Sequence, residues 1–243
     1  MKAGIWLTTP NVAMVEMAGE LGFGVAVFDL EHGIMDPSAL ETLVGLSAAL
    51  GITPFLKVAA SERRFVMEGL DRGACGVILP QIEDWRHAKQ ATAFAKYPPL
   101  GKRGASGGRV FGYQRAGAQF YETQNKTSKC IVMIETKGAL RDVADIAALD
   151  TVDGLFVGPT DLALSCGRKA YEQSDADFAD IERIAKAAKA AGKSFMWPAW
   201  SAREQQMART LGADTVIVSD EFGALRSGML AAMATFQQPS SKG

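Results

Sequence analysis

Short apolar runs alternate with longer amphipathic stretches along almost the whole chain. The clearest unit spans residues 131–167. An apolar run at 131–134 ends in Glu135, and Leu140, Val143, Ile146 and Ala147 follow at helical spacing. A second apolar run at 154–157 then ends in Gly158-Pro159-Thr160-Asp161. This reads as strand, helix, strand, with both strands parallel and their carboxyl ends at one edge of the sheet.

The same rhythm extends outward. Strands are predicted at 3–7, 24–28, 54–58 and 75–79 before that unit, and at 193–199 and 214–218 after it. Helical patterns lie between them. Asn11 caps one that ends near Gly22, Ser38 opens one that stops at Gly51, and Ser61 caps one that runs to about Arg72. Others span 84–97, 175–191 and 221–236, and one runs from its Ser201 cap to Gly212. Eight strands alternating with eight helices predict a (β/α)8 TIM barrel, a single domain over residues 1–243. An open doubly wound sheet usually has fewer strands. Two segments fall outside the rhythm. Residues 98–128 read as a long irregular loop, a length that points to function or poor order, with Arg103 or Arg109 reaching the barrel mouth. The polar tail at 237–243 reads as frayed.

Composition narrows the class. An apolar fraction of 48% suits a large core, and a net charge of -1 gives no electrostatic case for nucleic acid or an anionic membrane surface. Cys75, Cys130 and Cys166 are scattered and read as reduced thiols, with no disulfide frame or zinc cluster. The N-terminal apolar run is too brief for a signal peptide, and no segment approaches the ~20 apolar residues of a membrane span. A cytoplasmic protein with no membrane partner is expected.

Chemistry in such a barrel gathers at the carboxyl ends of the strands. The residues predicted there are Asp29, Glu31 and His32; Lys57; Gln81; Glu135; Asp161; Trp197 and Trp200; and Ser219 and Asp220. Glu135 and Asp161, at matching ends of consecutive strands, would suit a hard divalent cation. Taken singly, each acid could be a helix cap or turn residue. His32 lies three residues after Asp29, and a carboxylate beside an imidazole suits a general acid or base near neutral pH. A loop histidine bonded to backbone is the plainer alternative, and His87 reads as a solvated surface residue. Lys57 could neutralise a substrate carboxylate or enolate, serve as a Schiff-base amine, or pair with a neighbouring acid. Gly158-Pro159-Thr160-Asp161 could expose N–H groups that hold a carboxylate or phosphate, or simply turn the strand into a helix. Trp197 and Trp200 bracket Pro198, so at least one is expected to line the pocket.

FDLEHG (28–33), LDRGACGVILP (70–80), YPPLGKRG (97–104), MIETKGAL (133–140) and VGPTDLALSCG (157–167) occur in this order. Together they resemble the HpcH/HpaI aldolases, the class II pyruvate aldolases, over roughly residues 4–233. The resemblance implies a (β/α)8 barrel that uses Mg2+, Mn2+ or Co2+ to cleave a 4-hydroxy-2-oxo acid to pyruvate and an aldehyde. It also implies a homo-oligomer, a trimer or hexamer, whose dimeric units exchange the last helix. By position it makes Glu135 and Asp161 the metal ligands, His32 the catalytic histidine and Asp29 its partner acid. It makes the Gly158, Pro159 and Thr160 backbone, with Asp161, the grip on the pyruvate carboxylate, and Asp71 an acid that reaches a neighbouring subunit. Three positions depart from the family pattern. Lys57 stands in place of an arginine and loses its planar fork, Met133 stands in place of a glutamine, and the segment 196–200 is bulkier than usual. Competing readings are a carbon–carbon lyase acting on coenzyme A thioesters, a non-catalytic barrel that binds a 2-oxo acid, and a phosphate-handling isomerase. The last lacks a glycine-rich loop after strands seven and eight.

Overall fold

The apolar runs become strands, and the strands close on themselves. The computed structural model describes residues 1–105 and 107–237. The elements are β1 (Lys2–Leu7), α1 (Val12–Glu20), β2 (Val25–Asp29), α2 (Pro37–Ala49), β3 (Thr53–Lys57), α3 (Arg63–Asp71), β4 (Gly76–Leu79) and α4 (Trp85–Thr92). They continue with α5 (Ala118–Thr127), β5 (Lys129–Ile134), α6 (Lys137–Arg141), α7 (Val143–Ala147), β6 (Gly154–Val157) and α8 (Pro159–Ser165). The last are α9 (Asp175–Ala190), β7 (Ser194–Pro198), α10 (Ala202–Leu211), β8 (Thr215–Asp220) and α11 (Glu221–Gln237). All eight strands are parallel, and β8 pairs back onto β1, so the sheet is a closed barrel. The predicted (β/α)8 barrel is the observed architecture.

Strand alternation sorts side chains into two cores. Val25, Val27, Phe55, Ile78, Ile131, Met133, Phe156, Met196 and Ile217 point inward and fill the barrel with Trp6. The alternate positions, such as Leu56, Val77, Val132, Leu155, Phe195 and Val216, pack outward against the helices. The helices start where the sequence supplies acceptors. Asn11 accepts the Met14 N–H at 3.2 Å, and Ser201 forms a reciprocal capping box with Glu204.

Several boundaries differ from expectation. Asp36 caps α2 instead of Ser38, because Pro37 takes the first helical position and needs no N–H partner. Ser61 does not cap α3 and instead donates its hydroxyl to the Pro80 carbonyl at 2.5 Å, tying the ends of β3 and β4. The stretch 98–128 is not wholly irregular. It contains a helical turn at Arg109–Phe111 and the helix α5, held by Phe111 stacked on Phe120 at 4.4 Å and Tyr121 edge-on to Tyr97. The expected fraying falls mostly on 238–243, outside the described residues. Among the described residues no helix is long and apolar enough to cross a membrane.

Candidate active site

Asp29 and Lys57 end neighbouring strands and are register partners, so their side chains enter the barrel side by side. Lys57 is 4% exposed, and its ammonium lies 3.5 Å from Asp29 and 2.5 Å from Glu31 Oε2. Asp29 is buried and saturated with donors. Its Oδ2 accepts from the Trp6 indole at 3.2 Å, and its Oδ1 from the backbone N–H groups of Glu31 (2.9 Å) and His32 (3.1 Å). Such i→i+2 bonding makes aspartate shape a turn. Asp29 therefore sets the backbone of the loop after β2 and does not engage the His32 ring. The carboxylate nearest that ring is Glu31, 3.7 Å from Nε2, and the His32 side chain is 65% exposed at the rim. The expected Asp29–His32 pairing is thus a backbone contact, because the inward-pointing carboxylate is already used.

Across the barrel, Glu135 directly follows β5 and is 2% exposed. Its Oε1 accepts the Gln81 N–H at 2.5 Å. Gln81 holds φ +53°, a left-handed conformation uncommon for a non-glycine residue, and it aims that N–H at the carboxylate. Gly158 leaves the space that the carboxylate fills. A Cβ there would lie 2.6 Å from Glu135 Cβ and 2.8 Å from Oε2. Burial pushes the Glu135 carboxyl up to about 7. The Gln81 N–H and Lys57 oppose that shift, and Glu31 and Asp161 add to it. Asp161, exposed in the first turn of α8, opens with Glu135 onto one cavity of about 300 Å³.

Asp29, His32, Lys57, Glu135, Gly158, Pro159, Thr160 and Asp161 all line this cavity. Trp200 and Asp220, also expected at the strand ends, line it too. Trp197 is a correction. It is fully buried and packs edge-on against Phe178 of α9 at 6.4 Å, on the outer side of the strand. Met196 faces inward, so alternation turns Trp197 out, and the tryptophan that does line the cavity is Trp200. Neither loop arginine lines it. Arg103 is buried against Asp71 at 2.8 Å and lies over the Tyr97 ring. Arg109 lies against Gly45 and Gly73, near the amino end of β4.

Glu135 and Asp161 form a two-carboxylate set beside open space. Among the described residues no three His, Cys, Asp or Glu side chains are grouped to hold a metal. Two carboxylates with room for water and substrate oxygens nevertheless fit an ion of the magnesium type, which is held through one or two carboxylates. Burial raises the Glu135 pKa by disfavouring its charge, and a bound cation would offset that penalty.

A family model described as HpcH/HpaI aldolase/citrate lyase matches residues 2–218. The chain belongs to that family. A 5-keto-4-deoxy-D-glucarate aldolase of Escherichia coli O157:H7 (strain EC4115 / EHEC) is 30% identical over 98% of this chain and 93% of its own length. A 2-dehydro-3,6-dideoxy-6-sulfogluconate aldolase of Pseudomonas putida is 32% identical over 68% of this chain, and that match spans 64% of the relative. The crystal structure of an HpcH/HpaI aldolase from Desulfitobacterium hafniense DCB-2 superposes with a TM-score of 0.91 at 24% identity, covering 100% of this chain and 95% of that one. The family groups aldolases with citrate lyases, so the chain is a carbon–carbon lyase.

Within this family member, sequence reasoning missed Trp6, Thr8, Glu221 and Phe222, which also line the cavity. Glu221 begins α11, is 1% exposed and accepts from Thr8 three times, through the hydroxyl at 2.6 Å and the backbone N–H at 3.0 and 3.1 Å. An acid at a helix start reads as an ordinary first-turn residue, so nothing local marks this long-range role. Trp6 and Thr8 were findable, since both continue the inward face of β1 that alternation defines.

Proposed function

We propose that the chain is a divalent-metal-dependent aldolase that cleaves a 4-hydroxy-2-oxo acid to pyruvate and an aldehyde. The observation that carries this is the pairing of buried Glu135 with Asp161 at the ends of adjacent strands, open to a small cavity. Glu135 and Asp161 would hold the ion. When bound, it supplies Lewis acidity that stabilises negative charge on a substrate oxygen. The N–H groups of Thr160 and Asp161, which have no acceptor within α8, receive the substrate carboxylate. His32 takes the C4 hydroxyl proton as the C3–C4 bond breaks. The bond's electron pair passes to the pyruvate enolate, the C4 carbon leaves as the aldehyde carbonyl, and C3 then gains a proton. Lys57 contributes positive charge beneath the site while fixed by Asp29 and Glu31.

The same reading includes self-assembly. Leu225, Met229, Leu230, Met233 and Phe236 of α11 are all at least half exposed, an apolar surface that a second copy of the chain would cover. Light scattering should find a trimer or hexamer. A cytoplasmic setting accords with Cys75, Cys130 and Cys166 as free thiols.

The test is pyruvate release from a panel of 4-hydroxy-2-oxo acids by metal-stripped protein, before and after addition of Mg2+, Mn2+ or Co2+. Release only with metal, lost in Glu135→Ala, is the expected result. Metal-independent release trapped by borohydride on Lys57 would replace this reading with Schiff-base chemistry. Cleavage of coenzyme A thioesters alone would move the protein to the lyase side of the family.

A further inference from the structure

Charge and apolar surface are distributed unequally around the cavity. The carboxylates of Asp29, Glu135, Asp161, Asp220 and Glu221 line it, and among the described residues Lys57 is the only lysine or arginine that does. Lys57 is already committed to Glu31 and Asp29 and is almost fully buried. The arc after β7 and β8 is walled differently, by Pro198, Trp200 and Phe222. Trp200 is 46% exposed and Phe222 59%, so two large apolar side chains face water at this rim. Asp220 is the last residue of β8, and its Oδ1 accepts the Gly223 N–H at 2.8 Å.

An anionic group entering this arc would meet Asp220 and Glu221 with no lysine or arginine free to pair with it. It would give up hydration without replacement. An apolar group would instead displace water from the faces of Trp200 and Phe222. We infer that the aldehyde formed or consumed here is uncharged and carries an apolar substituent, packed against Trp200 and Phe222, which set the specificity. The volume of about 300 Å³ is at the lower end of small-molecule sites and favours a compact substituent. This inference rests on the aldolase reading and sharpens it by naming the substrate class.

The experiment has two arms, both on the full chain with Mn2+ present. The first follows exchange of the pyruvate methyl protons in D2O without aldehyde, which reads enolate formation alone. The second compares aldol addition of pyruvate to butanal and to 4-oxobutanoate, four-carbon aldehydes that end in a methyl group and a carboxylate. With exchange established, butanal should have the higher kcat/KM by at least about tenfold. Trp200→Arg or Phe222→Arg should shift that ratio toward 4-oxobutanoate by a similar factor, and both positions are exposed enough to accept the longer side chain. Exchange with equal or greater kcat/KM for 4-oxobutanoate overturns the inference and leaves the aldolase reading standing. Both arginine variants leaving the ratio unchanged also overturns it. Absence of metal-dependent exchange removes the aldolase reading and the inference with it.

Discussion

The two sides of the barrel mouth handle charge in opposite ways. On the β2–β3 side, Asp29, Glu31 and Lys57 close on one another within 3.5 Å, and Asp29 takes further bonds from Trp6 and the loop backbone. On the β5–β6 side, Glu135 and Asp161 have no salt-bridge partner among the described residues. Among the described residues, only the Gln81 N–H bonds Glu135 directly. Both arrangements place carboxylates at strand ends, yet one is finished and the other is left unneutralised. The finished cluster shapes a loop. The unneutralised pair is where a ligand of opposite charge has something to gain.

Breaking the finished side should cost the most. Lys57→Met leaves Asp29 and Glu31 without their cation in a buried setting, and removal of one partner of such a pair typically costs about 3–5 kcal/mol. Urea unfolding of the purified variant measures it, and a loss under about 1 kcal/mol would show that the carboxylates reach solvent or neutralise instead.

A smaller effect is expected from crowding the other side. Gly158→Ala places a methyl group 2.6 Å from Glu135 Cβ, so the glutamate must move, and overpacking of this kind costs about 1–3 kcal/mol. Metal affinity, read by calorimetric titration, should fall with it. Unchanged affinity would separate the Glu135 position from metal binding.

The mildest test is pH. The Glu135 carboxyl sits at about 7 in the folded chain, above its ordinary 4.5. Protonation therefore stabilises the metal-free protein. That contribution is fully present below about 4.5 and is lost as pH rises through about 7. Metal needs the ionised form, so affinity should fall about tenfold per pH unit below about 7. Titrations at pH 6 and pH 8 check this, and a flat profile would mean that Glu135 is already ionised in the free protein.

What the sequence made legible follows from periodicity. Runs such as 131–134 and 154–157 announce buried strands, and their ends locate Glu135 and Asp161 on one edge before any coordinates exist. Parity within a strand is also readable, and attending to it would have turned Trp197 outward. Contacts across the barrel are harder. Lys57 binding Glu31, Gln81 adopting φ +53° to reach Glu135, and Glu221 gripping Thr8 are set by neighbours 26, 54 and 213 residues away. The helix at Ala118–Thr127 escaped for a different reason: its polar composition hides a stripe whose aromatic partners, Tyr97 and Phe111, lie in other segments.

The last helix joins two concerns that most enzymes keep apart. Its first residue latches the end of β1, its second walls the cavity, and the turns beyond carry an uncovered oily face. Less than one helical turn separates Leu225 on that face from Phe222 at the cavity wall. On the proposed assembly through that face, protein concentration would become a variable of the chemistry, and a damaged tail would surface first as altered turnover, with the barrel itself still intact.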